Sequence, residues 1–281
     1  MKMDTKKVWL VTGASKGLGL SLVKKLLNEG YKVVATSRNE SALKEAVGIL
    51  DDNFLPLQVD LVNEQSVEKA IKNAIESFGK INVVVNNAGY GQAGTIEELS
   101  DAETRKNFDV NVFGSLNIIR KVMPYLRAQK SGHIFNISSI AGFIGAFPSF
   151  GVYCATKYAV VGFTEALSVD AKPFGINATV VYPGYFRTNF LDSDSFNLPN
   201  NPIENYQEAR AIEKLHVEEI RGNQAGNPDK AADVFIEIAE TENPPLHLFL
   251  GSDSYQYAKQ KLEIVEGELA ANETLATSTD F

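Results

Sequence analysis

Cysteine is almost absent from this chain, with one residue, Cys154, among 281. A single thiol forms no intramolecular disulfide and no cysteine-rich zinc site, so a reducing compartment, the cytoplasm, is expected. Histidine is nearly as scarce: His133, His216 and His247 are scattered without ligand spacing, are read as structural, and give no reason to expect a metal. Basic charge is in deficit. The 27 Lys+Arg against 35 Asp+Glu leave −8, a balance that repels phosphate backbones and anionic lipid, so neither nucleic acid nor a membrane is an expected partner. No apolar stretch reaches the ~18 residues of a membrane span, and the polar start over residues 1–7 has no signal-peptide hydrophobic region. The 21 glycines and 10 prolines are dispersed, and 44% apolar with 22% charged residues describes an ordinary globular chain.

What is present is an alternation. Short apolar, largely β-branched runs at 8–11, 32–36, 54–59, 82–85, 132–137, 178–182 and 246–250 are separated by helical patterns at 18–28, 40–50, 64–78, 102–126, 152–172 and 228–240. Runs this continuous predict strands buried on both faces, hence a doubly wound α/β (Rossmann) fold with a seven-stranded parallel sheet and helices on both sides. No Pro/Ser-rich linker or change of composition divides the chain, so 1–281 reads as one dinucleotide-binding and catalytic domain. Two segments depart from the rhythm. Residues 186–226 are too long for an ordinary βα connection and are expected to form a substrate lid; residues 262–281, acidic with no basic residue, are expected to be a surface helix that frays into a loose tail.

The turn Thr12-Gly13-Ala14-Ser15-Lys16-Gly17-Leu18-Gly19 follows the first strand and opens the first helix. Glycines there let backbone N–H groups and the positive end of a helix approach a pyrophosphate. The spacing is G-x-x-x-G-x-G where the common dinucleotide fingerprint is G-x-G-x-x-G, and a plain tight turn, or a site for another nucleoside such as a methyl donor, stays open. Where an NAD site carries an acid after the second strand, this chain has Arg38; with Lys16 in the turn, two cations flank the place of a 2′-phosphate, favouring NADP(H). Asp60 and Leu61 end the third strand, and Asp60 either accepts from an adenine amino group or caps the helix beginning near Asn63. Asn87, Ala88 and Gly89 end the fourth strand where strand order should reverse, as cofactor ligands or as a loop anchored by its own amides.

Tyr153 and Lys157 stand one helical turn apart. A neighbouring cation stabilises phenolate and would bring the tyrosine toward neutrality as an acid or base. Two other Tyr/Lys pairs share the spacing, Tyr255/Lys259 and Tyr257/Lys261, but only the first follows a strand ending Asn136-Ile137-Ser138-Ser139. Ser139 is the preferred donor to the same carbonyl oxygen, with Ser138 left to satisfy loop backbone. Asn111 is a polar residue inside an apolar helical run, either a structural amide or the holder of a water that relays protons to Lys157. Phe190, with Phe196, Tyr206, Phe143 and Phe147, is a candidate for the wall of an apolar substrate pocket. Cys154, with no base or partner thiol, reads as packing.

Together these motifs resemble the short-chain dehydrogenase/reductase family over roughly residues 8–250, and most nearly its NADP-preferring branch and the 17β-hydroxysteroid and retinol dehydrogenase-like group. The resemblance implies that Gly13, Ser15, Lys16, Gly17, Leu18 and Gly19 bind the cofactor, that Asn87-Ala88-Gly89 supports the central strand, and that Asn111, Ser139, Tyr153 and Lys157 form a catalytic tetrad. It assigns Tyr153 as acid/base, Lys157 to the nicotinamide ribose and to depressing the tyrosine pKa, and Ser139 to polarising the substrate. Pro183, Gly184 and Thr188 resemble the segment that contacts the nicotinamide carboxamide. The function implied is NADP(H)-dependent hydride transfer to or from an apolar small-molecule carbonyl or alcohol, in a homodimer or homotetramer. A non-catalytic NADP(H) sensor and a redox-neutral epimerase or dehydratase are the alternatives.

Overall fold

The computed structural model describes residues 6–281, so residues 1–5 of the polar start lie outside it. In chain order the first half runs β1 (Val8–Thr12), α1 (Gly17–Asn28), β2 (Lys32–Ser37), α2 (Glu40–Val47), β3 (Phe54–Gln58), α3 (Glu64–Phe78), β4 (Val83–Asn86), β5 (Gly91–Gln92) and α4 (Asp101–Phe108). The second half runs α5 (Gly114–Gln129), β6 (Gly132–Ile137), α6 (Gly151–Ala171), β7 (Ile176–Pro183), β8 (Phe196–Asn197), α7 (Gln207–Lys214), α8 (Pro228–Glu240), β9 (His247–Leu250) and α9 (Ser252–Thr277). Seven strands form one sheet in the order β3-β2-β1-β4-β6-β7-β9, with every pairing parallel. This is the expected doubly wound domain.

Strand alternation explains the two layers. Trp9, Val11, Val33, Ala35, Val83 and Val85 face one side and pack under α1, α2 and α8. Leu10, Val34 and Val84 face the other and pack under α3 and α5, through Val67, Ile71, Ile118 and Val122 among others. Both faces are therefore dry, which is why the strands read as continuous apolar runs. Strand order reverses between β1 and β4, and a crevice opens at their carboxyl ends.

Several boundaries differ from the sequence reading, each for a local reason. α2 stops at Val47 because Gly48 takes a left-handed φ of 70°. The helix expected over 102–126 is two, α4 and α5, joined by a wide π turn, Asp109–Phe113, that carries Asn111. Residues 186–226 hold their own elements: a short turn at Asn189–Leu191, β8, α7 and a second π turn, Leu215–Ile220, with β8 pairing in parallel with β5. The acidic end is the expected surface helix: α9 begins at Ser252, earlier than the 262–281 segment, runs exposed to Thr277 and stops four residues before the end of the sequence. Its Ala, Glu and Leu content sustains helix without packing. No helix among the described residues is long and apolar enough to cross a membrane.

Candidate active site

A cleft of about 600 Å³ runs along the carboxyl edge of the sheet, lined by the glycine turn at one end and by α6 and the 186–197 segment at the other. At the glycine end the chain secures its own backbone first. The Thr12 hydroxyl donates to Val85 O at 3.3 Å and accepts from the N–H groups of Asn87 and Ala88 at 3.0 and 3.1 Å. The Asn87 amide donates to Thr12 O and Gly13 O at 2.9 and 3.0 Å. The side chain of Asn87 thus has the structural role considered for it, tying β4 to the turn. Gly13 is irreplaceable on two grounds: its φ is +64°, and a Cβ there would lie 2.7 Å from the Ala88 Cα.

Helices α2, α3, α4 and α8 each begin on a capping side chain, from Asn39, Asn63, Ser100 and Asn227. α1, like α5, α6, α7 and α9, has no side-chain cap, and its first residue follows Lys16 directly. The orphan N–H groups of its first turn, with Gly17, Leu18 and Ser15, line the cleft. That is the chemistry of an anion seat. Asn63 caps α3, which removes the capping alternative for Asp60; the Asp60 carboxylate instead accepts from Val62 N at 3.0 Å and, with Leu61, lines the cleft. Arg38 is exposed on the same rim, and Lys16 pairs with Asp194 at 2.6 Å.

At the other end α6 delivers Tyr153 and Lys157, 7% and 5% exposed, to the cleft floor. Ser139 stands beside the Tyr153 phenol and accepts from Ala141 N at 3.1 Å. Ser138 donates to the carbonyl of Lys157 at 2.9 Å, the backbone role expected of it. Lys157 Nζ donates to Ile137 O at 3.0 Å and lies 5.7 Å from the centre of the Tyr153 ring. Electrostatics here differ from the sequence reading. Burial pushes the phenol well above its ordinary value, opposed by the Ser139 hydroxyl, and the lysine does not bring it toward neutrality. Burial also pulls Lys157 down to about 8. Desolvation dominates because both groups are buried in the cleft floor. The result is a phenol that holds its proton beside an ammonium.

Asn111 arrives on the π turn. Its amide donates to Tyr90 O at 3.0 Å and to Thr156 Oγ1 at 3.1 Å, and its oxygen accepts from Tyr90 N at 3.0 Å. Both amide hydrogens are used, so the side chain anchors the strand-end loop, the structural alternative. It remains near the lysine: a Cβ on Gly89 would lie 3.0 Å from Asn111 Oδ1 and 3.5 Å from Lys157 Nζ. Pro183, Gly184 and Thr188 line the cleft, and a Cβ added at Gly17 would lie 3.6 Å from the Thr188 Cβ.

Phe190, Phe196 and Phe147 line the cleft, and the Phe190 ring centre is 6.1 Å from that of Tyr153. Phe143 and Tyr206 do not: Phe143 packs on Tyr182 and Phe249, and Tyr206 donates to Glu97. Their direction depends on loop paths that composition does not encode. Of the histidines, His133 is buried against Thr179 and pushed down to about 3, a neutral structural group. His247 lies half out of the fold, 3.0 Å from the Tyr182 hydroxyl. His216 was read as structural but lies on the cleft wall. Its Nδ1 bonds Ile212 O, so Nε2 accepts from the Tyr185 hydroxyl at 2.9 Å. Sequence reasoning also missed Phe150, Thr156 and Asp194, and Asp253, which accepts from Tyr185 N at 2.7 Å and holds the turn after β7. Cys154 is buried and its thiol is pushed up to about 11 by burial, an inert packed side chain.

The crevice at the strand switch thus has a Tyr–Lys–Ser cluster facing a glycine turn across it. The family model for short chain dehydrogenases matches residues 7–197. An oxidoreductase of Botryotinia fuckeliana is 35% identical over 260 residues, 92% of this chain and 94% of that protein. A 3-ketodihydrosphingosine reductase of Bacteroides thetaiotaomicron is 34% identical over 247 residues, covering 87% and 88%. The crystal structure of a short-chain dehydrogenase from Streptomyces avermitilis superimposes with a TM-score of 0.90 at 33% identity, over 99% of this chain and 100% of that one. More distant matches in fold, at 24% identity, include complexes with NADP and with NAD. The chain belongs to the short-chain dehydrogenase family and is an oxidoreductase of that family.

Proposed function

We propose that the chain transfers a hydride between NADP(H) and an apolar carbonyl or alcohol substrate, with Tyr153 as the proton donor and acceptor. The observation that carries this is the buried Tyr153 phenol, protonated at neutral pH, beside Ser139 and one helical turn from the Lys157 ammonium on the floor of the cleft. The residues present fit a dinucleotide: the uncapped first turn of α1 offers backbone donors to a pyrophosphate, and Lys16 and Arg38 stand at the rim. When bound, the nicotinamide ring supplies or takes the hydride. Tyr153 holds the proton that the carbonyl oxygen needs, Ser139 Oγ donates to the same oxygen, and Lys157 would hold the nicotinamide ribose beside them. The test is nicotinamide absorbance with NADPH and with NADH against aldehydes, ketones, steroids, retinoids and quinones. Turnover faster with NADPH is the expected result; tight NADPH binding with silence across the panel would favour the sensor or the redox-neutral enzyme.

Two finer parts of the proposal have their own expected outcomes. Arg38→Ala weakens NADPH binding by about 1.5–3 kcal/mol, as loss of a charge-assisted contact does, and leaves NADH nearly unchanged in parallel titrations. Phe190→Ala lowers kcat/KM by about tenfold for bulky apolar ketones, in keeping with the few kcal/mol that burying an aromatic side chain contributes, and changes small ketones less; equal losses would remove Phe190 from the substrate wall. Assembly as a homodimer or homotetramer through α5 and α6 belongs to the same proposal, supported by Phe113 and Val169, which are exposed on that side of the fold.

A further inference from the structure

The segment that brings Phe190 and Phe196 to the substrate wall also brings a carboxylate to the opposite end of the cleft. Asp194 Oδ2 accepts from Lys16 Nζ at 2.6 Å, across 178 positions of sequence. The hydrogen bond from Lys16, with a smaller contribution from the charge of Arg38, holds the Asp194 carboxyl below its ordinary value, so all three groups share one field. Asp194 is on a short tether. The N–H groups of Ser195 and Phe196 both donate to Asp192 O at 2.9 Å, and Phe196 and Asn197 are then fixed in the β8–β5 ladder. Whatever takes Lys16 away from Asp194 is therefore felt within two residues of the substrate wall.

We propose that Asp194 is a cofactor-selecting carboxylate: it neutralises Lys16 and shares the field of Arg38 when no 2′-phosphate is present, and must surrender these cations to NADP(H) but not to NAD(H). This rests on the reading that Lys16 and Arg38 receive the 2′-phosphate. A phosphate monoester carries about −1.5 to −2 charges, so it outcompetes a single carboxylate for the two cations and repels Asp194. The dinucleotide without that phosphate leaves the Lys16–Asp194 pair in place. Asp194 thereby narrows the preference for NADP(H) that the two cations create, and ties the choice of cofactor to the position of the 189–197 segment.

The experiment is titration of NADPH and NADH by nicotinamide fluorescence on the full chain, for wild type, Asp194→Asn and Arg38→Ala, at low salt and at about 0.5 M salt, where screening acts over a few ångströms. Asp194→Asn is expected to tighten NADPH about three- to fivefold, the scale of one exposed charge interaction, to leave NADH within about twofold, and to lose its effect at high salt. Asp194→Ala should behave as Asp194→Asn does, which separates the charge from the shape of the side chain. Unchanged or weaker NADPH binding, equal tightening of both cofactors, or a gain that survives high salt overturns the proposal for Asp194 while an NADPH-specific loss in Arg38→Ala keeps the cofactor reading. An Arg38→Ala variant with no NADPH-specific loss overturns both.

Discussion

Replacing Tyr153 by Phe is expected to lower kcat for carbonyl reduction by about 10²–10⁴-fold, the range for loss of a positioned general acid, while NADPH binding stays within a few-fold of wild type. The substitution removes one oxygen and its proton. The ring, which packs beside Phe150 and Phe190 at 6.4 and 6.1 Å between centres, stays. The α6 backbone and the Lys157 and Ser139 contacts to main chain do not depend on that oxygen. The loss should therefore fall on kcat, and cofactor titration alongside the rates checks that the site is intact. A residual rate near that of wild type would mean that another group, or water, protonates the substrate.

The second large effect concerns Lys157. Lys157→Met is expected to reduce kcat/KM by about 10²-fold or more, because the buried ammonium that would hold the nicotinamide ribose in register with Tyr153 is lost. It is also expected to alter the pH profile. Burial pulls the Lys157 pKa down to about 8, so the wild-type rate of reduction should fall as pH rises through about 8 and one proton leaves the ammonium. Tyr153 does not contribute to that limb, since its phenol is held far above it. In Lys157→Met the limb near 8 should vanish. The stability sign follows from the same shift. Between about 8 and the ordinary value of 10.5 the unfolded chain binds the lysine proton and the folded chain does not. Stability from this group therefore rises with pH across that window, and the penalty for burying the charge is fully present below it. Rate and stability should thus move in opposite directions over pH 8 to 10.5, a pattern that chemical denaturation at several pH values would check.

Much of this was written in the chain locally. The strands were legible because parallel strands covered on both faces must be apolar at every position, as Trp9-Leu10-Val11 and Val83-Val84-Val85 are. The glycine turn was legible because Gly13 needs a positive φ and a close approach that only glycine tolerates. Tyr153 and Lys157 were legible because a helix converts a spacing of four into proximity. Ser138 was legible as a hydroxyl that serves the backbone, since it donates to the carbonyl of Lys157, but Ser139 also accepts from Ala141 N, a contact that adjacency in sequence does not show.

What was not legible depends on contacts between distant parts of the chain. Asp194 meets Lys16 only because β8 folds back onto β5. His216 reaches Tyr185, 31 positions away, from a π turn with no sequence signature. A buried charge network, in which Arg210 bridges Glu98 and Glu213 at 2.9 and 2.8 Å and so anchors α7 to the loop before α4, was hidden among residues that composition assigns to solvent. The phenol's electrostatics were misjudged for a related reason: a one-turn spacing shows that a cation is near, but not how much water burial has removed from both groups, and here the removal of water decides the sign.

The most direct test of the central claim is the fate of the hydride itself. NADPH carrying deuterium at the transferable C4 position should be mixed with wild-type protein and a ketone that it consumes, and the alcohol analysed by mass spectrometry. The account predicts one deuterium on the carbinol carbon for each NADPH oxidised, at a rate that collapses in Tyr153→Phe. Product formed without deuterium, or deuterium retained in a cofactor that is not consumed while the substrate changes, would contradict it.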